Sequence, residues 1–134
     1  MFALRSTSAR TALSPLLRRN FNSSVRSLKC YEGVDAATFE KQVSNGSGIV
    51  LVDFYATWCG PCKVLTPTLK KVTEKANVDL VTLDVDVEAE LAAKYSIRSL
   101  PTVMAFKDGQ PISQFMGAIP EKQVQMFIDS VKEK

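Results

Sequence analysis

Histidine is absent from the 134-residue sequence, and there are only three cysteines, Cys30, Cys59 and Cys62. A structural zinc site requires four nitrogen or sulfur ligands, so these residues could complete one only with a second chain, and we predict no metal site. Without histidine, the side chain that most often acts as a general base is not available. No uninterrupted apolar stretch approaches the ~18 residues of a membrane-spanning helix, so we predict no membrane insertion.

Acidic residues are absent from residues 1–28, which contain five arginines and many serines. The chain has 17 basic residues, so without those five arginines residues 29–134 have 12 basic and 14 acidic residues and a net charge of −2. The net charge of +3 on the whole chain therefore comes from the first segment. Nucleic-acid binding requires a basic surface, and the sequence after residue 28 predicts none.

Residues 1–28 resemble a cleaved mitochondrial transit peptide. On a helical wheel, apolar side chains lie on one side with arginines around them, namely Phe2, Ala9, Leu13, Leu16 and Leu17. A secretory signal would need an apolar core of about 7 to 15 residues, which this segment lacks. The order Arg19, Phe21, Ser24 resembles the matrix-processing pattern, so we expect cleavage near Leu28 and a location in the mitochondrial matrix. The alternative is a disordered basic tail.

Residues 29–134 are predicted to form one domain in which strands alternate with helices. The run IVLVDFY is typical of a strand buried inside a sheet, and a helix is predicted from Gly60 to Ala76, followed by the strand DLVTLDV. The short strands TVMAF and ISQFM flank Asp108-Gly109, a dipeptide that favours a hairpin turn. The alternation implies an α/β fold with a mostly parallel sheet covered on both faces.

Capping and periodicity predict a first and a last helix. Asp35 is a suitable N-cap for a first helix that reaches Val43 and ends at SNGSG. The last helix has an apolar stripe at spacing i, i+3, i+4 and i+7, formed by Val124, Phe127, Ile128 and Val131. We expect this stripe to pack into the core.

Cys59 and Cys62 directly follow the buried strand, in the string TWCGPCK. A structural disulfide across so short a loop would remove little entropy from the unfolded chain, so a redox couple is favoured. Cys59 would lie at an exposed helix start, where N–H groups and the helix dipole favour its thiolate, and it is the predicted nucleophile. Cys62, one turn further on and more enclosed, suits a resolving thiol. Gly60 would permit a tight turn, and Pro61 is tolerated in the first helical turn.

From about Tyr31 to Lys134 the sequence resembles the thioredoxin family, through VDFYATWCGPCK, SIRSLPT and KDGQ in that order. The resemblance implies a thioredoxin fold, in which a central mixed β-sheet is flanked by helices on both faces. It also implies a monomeric protein-disulfide reductase without a bound cofactor. Members of the family receive electrons from an NADPH-dependent thioredoxin reductase, and peroxiredoxins and methionine sulfoxide reductases are among the recipients. With residues 1–28, the chain is similar to mitochondrial members.

The resemblance assigns a catalytic role to Asp53, since the family has a buried aspartate that exchanges a proton with the second cysteine, here Cys62. A carboxylate inside an apolar strand is expensive to bury unless it is paired or protonated. The family often places a lysine near this aspartate on the neighbouring strand, where this sequence has Thr82. We therefore expect Asp53 to lack a charge partner. The alternative is a solvated carboxylate at the end of the strand.

The resemblance further implies a substrate-binding surface beside the active-site loop of Trp58, Gly60 and Pro61. Leu100-Pro101 resembles the family's cis-proline pair, which faces the disulfide. An apolar patch for the extended backbone of a target would be formed by Trp58, Leu100, Pro101, Gly117 and Ala118. Ordinary loop packing is the alternative for these residues, and for Gly117 alone a bulge or turn is a further alternative.

Two other functions remain open on the sequence. Oxidases and isomerases related to thioredoxins commonly have histidine between the cysteines, so Pro61 favours the reducing function. A non-catalytic binding or assembly module would use the same apolar patch without turnover. The third cysteine, Cys30, is interpreted as a bystander thiol, with an intermolecular or regulatory disulfide as the alternative.

Overall fold

The computed structural model describes residues 28–134, so residues 1–27 of the predicted transit peptide lie outside the described residues. The described chain forms five strands: β1 Cys30–Tyr31, β2 Ile49–Tyr55, β3 Asp79–Asp84, β4 Thr102–Lys107 and β5 Gln110–Met116. It also forms four α-helices: α1 Ala36–Phe39, α2 Gly60–Ala76, α3 Ala89–Lys94 and α4 Glu121–Lys132. Within residues 28–134, no helix is long and apolar enough to cross a membrane.

The strands form one sheet in the order β1-β3-β2-β4-β5. β3 is parallel to both β1 and β2, whereas β4 is antiparallel to both β2 and β5. The sheet is therefore mixed, as the resemblance implied, and the expectation of a mostly parallel sheet is wrong. The alternation of strands and helices does not predict the direction of β4 and β5, because these two strands are joined by Asp108-Gly109 without a helix between them. Both turn residues have positive φ, and a connection this short joins only antiparallel strands.

Helices α2 and α4 cover one face of the sheet. The buried side chains between helices and strands on this face are Leu65, Leu69 and Val72 of α2, Val124, Ile128 and Val131 of α4, and Leu51, Leu80, Val103 and Ala105 of the strands. The predicted α4 stripe thus packs into the core. Its fourth member, Phe127, is only partly buried and meets the Phe115 ring edge-on, with 4.8 Å between centroids.

Helices α1 and α3 lie on the opposite face, so the prediction of helices on both faces is confirmed. Tyr95, which directly follows α3, packs its ring against those of Phe39, Phe54 and Phe106, with centroid distances between 5.3 and 6.2 Å. Successive side chains of a strand point to opposite faces. Because Phe54 points toward this aromatic cluster, the preceding Asp53 points toward α2.

The first helix differs from the prediction in its geometry. Asp35 caps it as expected, with its carboxylate accepting the Thr38 N–H at 2.8 Å. The α-helix ends at Phe39, however, and continues as a π-helical segment over Glu40–Ser44. The Asn45 N–H donates to the Glu40 carbonyl five residues back, which widens the turn. The predicted helix as far as Val43 is therefore α-helical only in its first part.

Candidate active site

The strand–helix junction after β2 positions Cys59 as the N-cap residue of α2. Its sulfur accepts a hydrogen bond from the Cys62 N–H at 3.3 Å. Pro61 lies in the first helical turn, where a missing N–H costs no intrahelical bond. The positive end of a 17-residue helix thus faces the Cys59 sulfur, which favours a thiolate there once the disulfide is reduced.

Gly60 contributes less to this junction than its residue type suggested. It is not among the glycines with positive φ, and a Cβ at this position would have no neighbour within 4 Å. Glycine is permitted at this turn but not required by it, because an L-residue could adopt the same backbone conformation.

Cys59 and Cys62 are joined in a disulfide, with 5.4 Å between their Cα atoms. The sequence predicted an exposed first cysteine and an enclosed second one, but both are buried, with 4% and 2% of their surface exposed. The prediction was wrong for this state because Ala56, Val85 and Leu100 pack around the disulfide as a whole. The two cysteines differ instead in the cavity that each one lines.

Cys59 lines an open cleft of about 480 Å³, here called the groove. Its walls are formed by Trp58, Cys59, Gly60, Pro61, Val85, Ile97, Arg98, Ser99 and Leu100. The Trp58 side chain is 71% exposed, although its indole N–H donates to Asp86 at 2.8 Å. The structure therefore holds a large apolar surface in a defined position beside the disulfide, where it is available to a partner.

The expected cis peptide bond is present at Leu100-Pro101. Leu100 lines the groove and packs against the disulfide, whereas Pro101, Gly117 and Ala118 do not line the groove. Gly117, at φ +89°, donates its N–H to the Pro101 carbonyl at 2.9 Å, and this hydrogen bond helps to fix the position of Pro101. Ala118 is exposed. A substrate-binding role for the last three residues stays a prediction.

Asp53 lies under α2 with 0% of its surface exposed. The alternative of a solvated carboxylate at the strand end is therefore wrong. One carboxylate oxygen, Oδ2, accepts a hydrogen bond from the Thr66 hydroxyl at 2.8 Å, while Oδ1 has no partner within residues 28–134. Burial raises the pKa of Asp53 from 3.8 to about 6, and the Thr66 hydrogen bond opposes that rise. The carboxyl group can thus accept or release a proton near neutral pH.

Thr82 lies beside Asp53 on β3, as the sequence predicted. Its hydroxyl accepts the N–H of Gly33 at 2.9 Å and so anchors the loop between β1 and α1. Val103 is the partner of Asp53 on the other neighbouring strand, β4. Neither of these two neighbouring residues supplies a positive charge.

Sequence reasoning missed two parts of the site. The groove is completed by residues from the loops on either side of α3, namely Val85, Ile97, Arg98 and Ser99. The last three belong to the motif SIRSLPT, on which the family resemblance rests, so that motif was the signal that could have identified them. Thr66, the donor to Asp53, follows Cys62 by four residues. Its helical spacing from Cys62 was the signal that could have identified it, because residues i and i+4 share one helix face.

Cys30 lies away from this site, on the edge strand β1 and separated from β2 by β3. It is an exposed free thiol whose pKa is raised, chiefly by its partial burial. Among residues 28–134, no cluster of three or more histidine, cysteine or acidic side chains could hold a metal ion.

A mixed sheet with a Cys-Gly-Pro-Cys disulfide at the start of the helix that follows its central strand defines a thiol-disulfide redox protein. Comparison with known proteins specifies the family. The thioredoxin family model matches residues 31–130. Thioredoxins from several strains of Staphylococcus aureus are 42% identical over 98 residues, which span 72% of this chain and 92% of theirs.

The structure of a thioredoxin point mutant from Halobacterium salinarum is also similar, with a TM-score of 0.70 and 30% identity. The match covers 76% of this chain and 89% of that one. This chain belongs to the thioredoxin family, and it is a thiol-disulfide oxidoreductase that acts on protein disulfides.

Proposed function

We propose that this chain is a mitochondrial protein-disulfide reductase in which Cys59 attacks the target and Cys62 releases it. The observation that carries the proposal is the division of one disulfide between two cavities. The Cys59 side lines the groove, a cleft of about 480 Å³ beside the exposed Trp58, whereas the Cys62 side lines a smaller open cavity of about 340 Å³ together with Tyr55, Lys63 and Thr66. A target disulfide that reaches the groove meets Cys59 first.

In the reduced protein, the thiolate of Cys59 attacks one sulfur of a target disulfide. The target S–S bond breaks, one target sulfur leaves as a thiolate, and a mixed disulfide joins the other to Cys59. Cys62 then loses its proton to Asp53 and attacks the Cys59 sulfur, which releases the second target thiolate. Two electrons have passed from the dithiol to the target, and the Cys59–Cys62 disulfide is restored.

The groove suits an extended target segment. Trp58 and Leu100 line the groove with Cys59 and offer apolar contact, and Arg98 adds a positive charge at the wall. We place Pro101, Gly117 and Ala118 at the margin of this surface, on the resemblance to the family. Contacts of this kind hold the target long enough for thiolate attack without a deep pocket for one particular side chain.

Re-reduction is assigned to an NADPH-dependent thioredoxin reductase, and the recipients to peroxiredoxins and methionine sulfoxide reductases. These partners follow from membership of the family, as does action as a monomer. Location in the mitochondrial matrix rests on the arginine-rich, acid-free composition of residues 1–28.

Reduction of insulin coupled to NADPH oxidation through a thioredoxin reductase tests the activity. We expect NADPH consumption that requires this chain, the reductase and insulin together. Absence of insulin reduction, with the protein folded and its disulfide reducible by dithiothreitol, would favour the binding-module alternative.

Import tests the location separately. The full chain should enter isolated mitochondria and be shortened near Leu28. A matched chain with the arginines of residues 1–28 replaced by glutamine should remain outside. Equal import of both chains would contradict the transit-peptide assignment.

A further inference from the structure

We propose that Thr66 is a positioning residue for the proton transfer between Cys62 and Asp53, because its hydroxyl holds the buried carboxylate by one oxygen and leaves the other oxygen free. This inference rests on the proposed function of Asp53. Thr66 lies outside both the cysteine motif and the groove, so the inference gives a functional role to a residue that neither feature includes.

The geometry joins three groups through one hydroxyl. Thr66 Oγ1 lies 2.8 Å from Asp53 Oδ2 and 3.0 Å from the carbonyl oxygen of Cys62. A threonine hydroxyl has a single proton to donate, so the two acceptors compete for it. An ionised carboxylate accepts more strongly than a neutral carbonyl, and the proton therefore goes to Asp53 when Asp53 is charged.

The same geometry distinguishes the two carboxylate oxygens. Oδ2 is occupied by Thr66, while Oδ1 is buried and has no partner among residues 28–134. When Cys62 gives up its proton, Oδ1 is the oxygen whose lone pairs are available to receive it. The S–H bond of Cys62 breaks, an O–H bond forms on Asp53, and the Cys62 electron pair is left to attack the mixed disulfide.

The residues beside Asp53 on the neighbouring strands do not share this role in the described chain. Thr82 of β3 accepts the Gly33 N–H and makes no hydrogen bond with Asp53, and Val103 of β4 is apolar. Titratable groups near the carboxylate are Tyr55, two residues along β2, and Cys62 on α2. Asp84 lies two residues beyond Thr82 on β3, and Lys63 lines the cavity beside Thr66. Tyr55, Asp84 and Lys63 form no hydrogen bond with Asp53 in the described chain.

Thr66 is also placed to connect Asp53 with solvent. It is half-buried and lines the second cavity, of about 340 Å³, together with Tyr55 and Cys62. Thr66 thus contacts the buried carboxylate through its hydroxyl, and the same residue borders an open cavity. Thr66→Val keeps the shape of the side chain and removes the hydroxyl, which makes it the natural test.

The experiment measures the pKa of Asp53 in the disulfide form by carboxyl ¹³C NMR, and the rate of mixed-disulfide resolution in the reduced form between pH 5 and 9. Loss of a hydrogen bond that favours the charged carboxylate should raise the pKa of Asp53 by about 1 in Thr66→Val. Starting from a pKa of about 6, resolution should slow about 5-fold at pH 6 and hardly at all at pH 8.

Thr66→Ser should restore the wild-type profile, since it returns the hydroxyl. Thr68→Val is the matched control, because the Thr68 hydroxyl bonds only to the Val64 carbonyl on the same helix. It should leave the pKa of Asp53 and the rate unchanged. If Thr66→Val does not fold, the pair Thr66→Ala and Thr66→Ser, which differ by the hydroxyl alone, gives the same comparison.

An unchanged pKa of Asp53 in Thr66→Val would overturn the inference, as would an equal loss of rate at every pH, which indicates packing alone. Asp53→Asn separates this failure from failure of the proposed function. If Asp53→Asn is slow while Thr66→Val behaves as the wild type, only the Thr66 inference is wrong. If Asp53→Asn also resolves at the wild-type rate across pH 6 to 9, the role of Asp53 is wrong and the Thr66 inference is wrong with it.

Discussion

The two sides of the Cys59–Cys62 disulfide differ in the side chains that they place beside the sulfur atoms. The groove side is open and largely apolar, with Trp58 exposed and Leu100 half-buried beside it. The inner side, which faces the packing of α2 against β2, holds a buried polar pair, with Asp53 fully buried and bonded to Thr66. The disulfide therefore lies between a surface that can bind a partner and a buried carboxyl group that can accept a proton.

The two sides also differ in where their residues come from. The inner side uses two consecutive elements, β2 and α2, so its residues lie within 13 positions of one another. The groove brings the Trp58 loop together with the loops before and after α3, about 27 and about 40 residues later in the sequence. This difference indicates that partner contacts can vary by changes in loops, while the proton site depends on one strand–helix pair.

The largest effects should come from the cysteines, which join the two sides. Cys59→Ser and Cys62→Ser should each lose turnover by at least ~100-fold, because exchange needs both a nucleophile and a resolving thiol. Only Cys62→Ser should accumulate covalent complexes with disulfide-containing targets. Non-reducing electrophoresis with insulin, followed by mass spectrometry, measures this. Equal trapping by both variants, or faster alkylation of Cys62 than of Cys59 in the reduced wild type, would contradict the assigned roles.

Asp53→Asn tests the inner side alone. Removal of the base should slow turnover at pH 7 by ~10-fold or more. It should also stabilise the fold, because the folded protein then avoids burying a charge. The pKa of Asp53 is raised from 3.8 to about 6, so the folded state binds the proton more tightly than the unfolded state. The wild type should lose stability as the pH rises from about 4 to about 6 and remain less stable above that range.

The size of this stabilisation follows from the pKa difference. Above pH 7, the free energy of unfolding of Asp53→Asn should exceed that of the wild type by up to ~3 kcal/mol. At pH 4 the two proteins should be nearly equal. Urea denaturation of the disulfide forms at both pH values measures the difference. If the wild type were equally stable at pH 4 and pH 8, burial of the ionised Asp53 carboxylate would have no measurable cost in the free energy of unfolding.

Trp58→Ala tests the groove side with the inner side intact. We expect kcat/KM for a protein disulfide to fall about 3- to 10-fold through loss of apolar contact, with little change for a small dialkyl disulfide. Met126→Ala on α4 is the matched control, because Met126 is also an exposed apolar residue, at 61%, and lies outside the groove. An equal loss for protein and small substrates would mean that Trp58 acts on the disulfide itself.

The smallest effect should follow removal of residues 1–28, which leaves both sides of the disulfide in place. A chain that begins at Lys29 keeps the Lys29 carbonyl that accepts the Leu80 N–H at 3.1 Å, and all five strands of the described chain. Its melting temperature and insulin reduction should match those of the full chain within error. A large loss of either would show that residues 1–28 belong to the domain.

Local signals predicted much of the fold and the redox pair. β2 over Ile49–Tyr55 and α2 over Gly60–Ala76 have the predicted bounds, since an apolar run and a helical period depend on neighbouring residues only. The capping position of Cys59 follows from the same junction. The mixed sheet and the cis bond before Pro101 came instead from the family resemblance, because composition and periodicity do not report on strand direction or on a single peptide isomer.

The sequence by itself determined the cysteine pair at a helix start, the buried strand before it and the absence of histidine as an alternative base. Only the tertiary structure decided which cavity each cysteine lines, that Asp53 is fully buried with no partner for Oδ1 among residues 28–134, and that Thr66 is its donor. The physical reason is that burial and hydrogen-bond partners depend on the packing of α2 against β2 and of distant loops around Trp58. Such packing is a property of contacts across the chain, which no local pattern of residues contains.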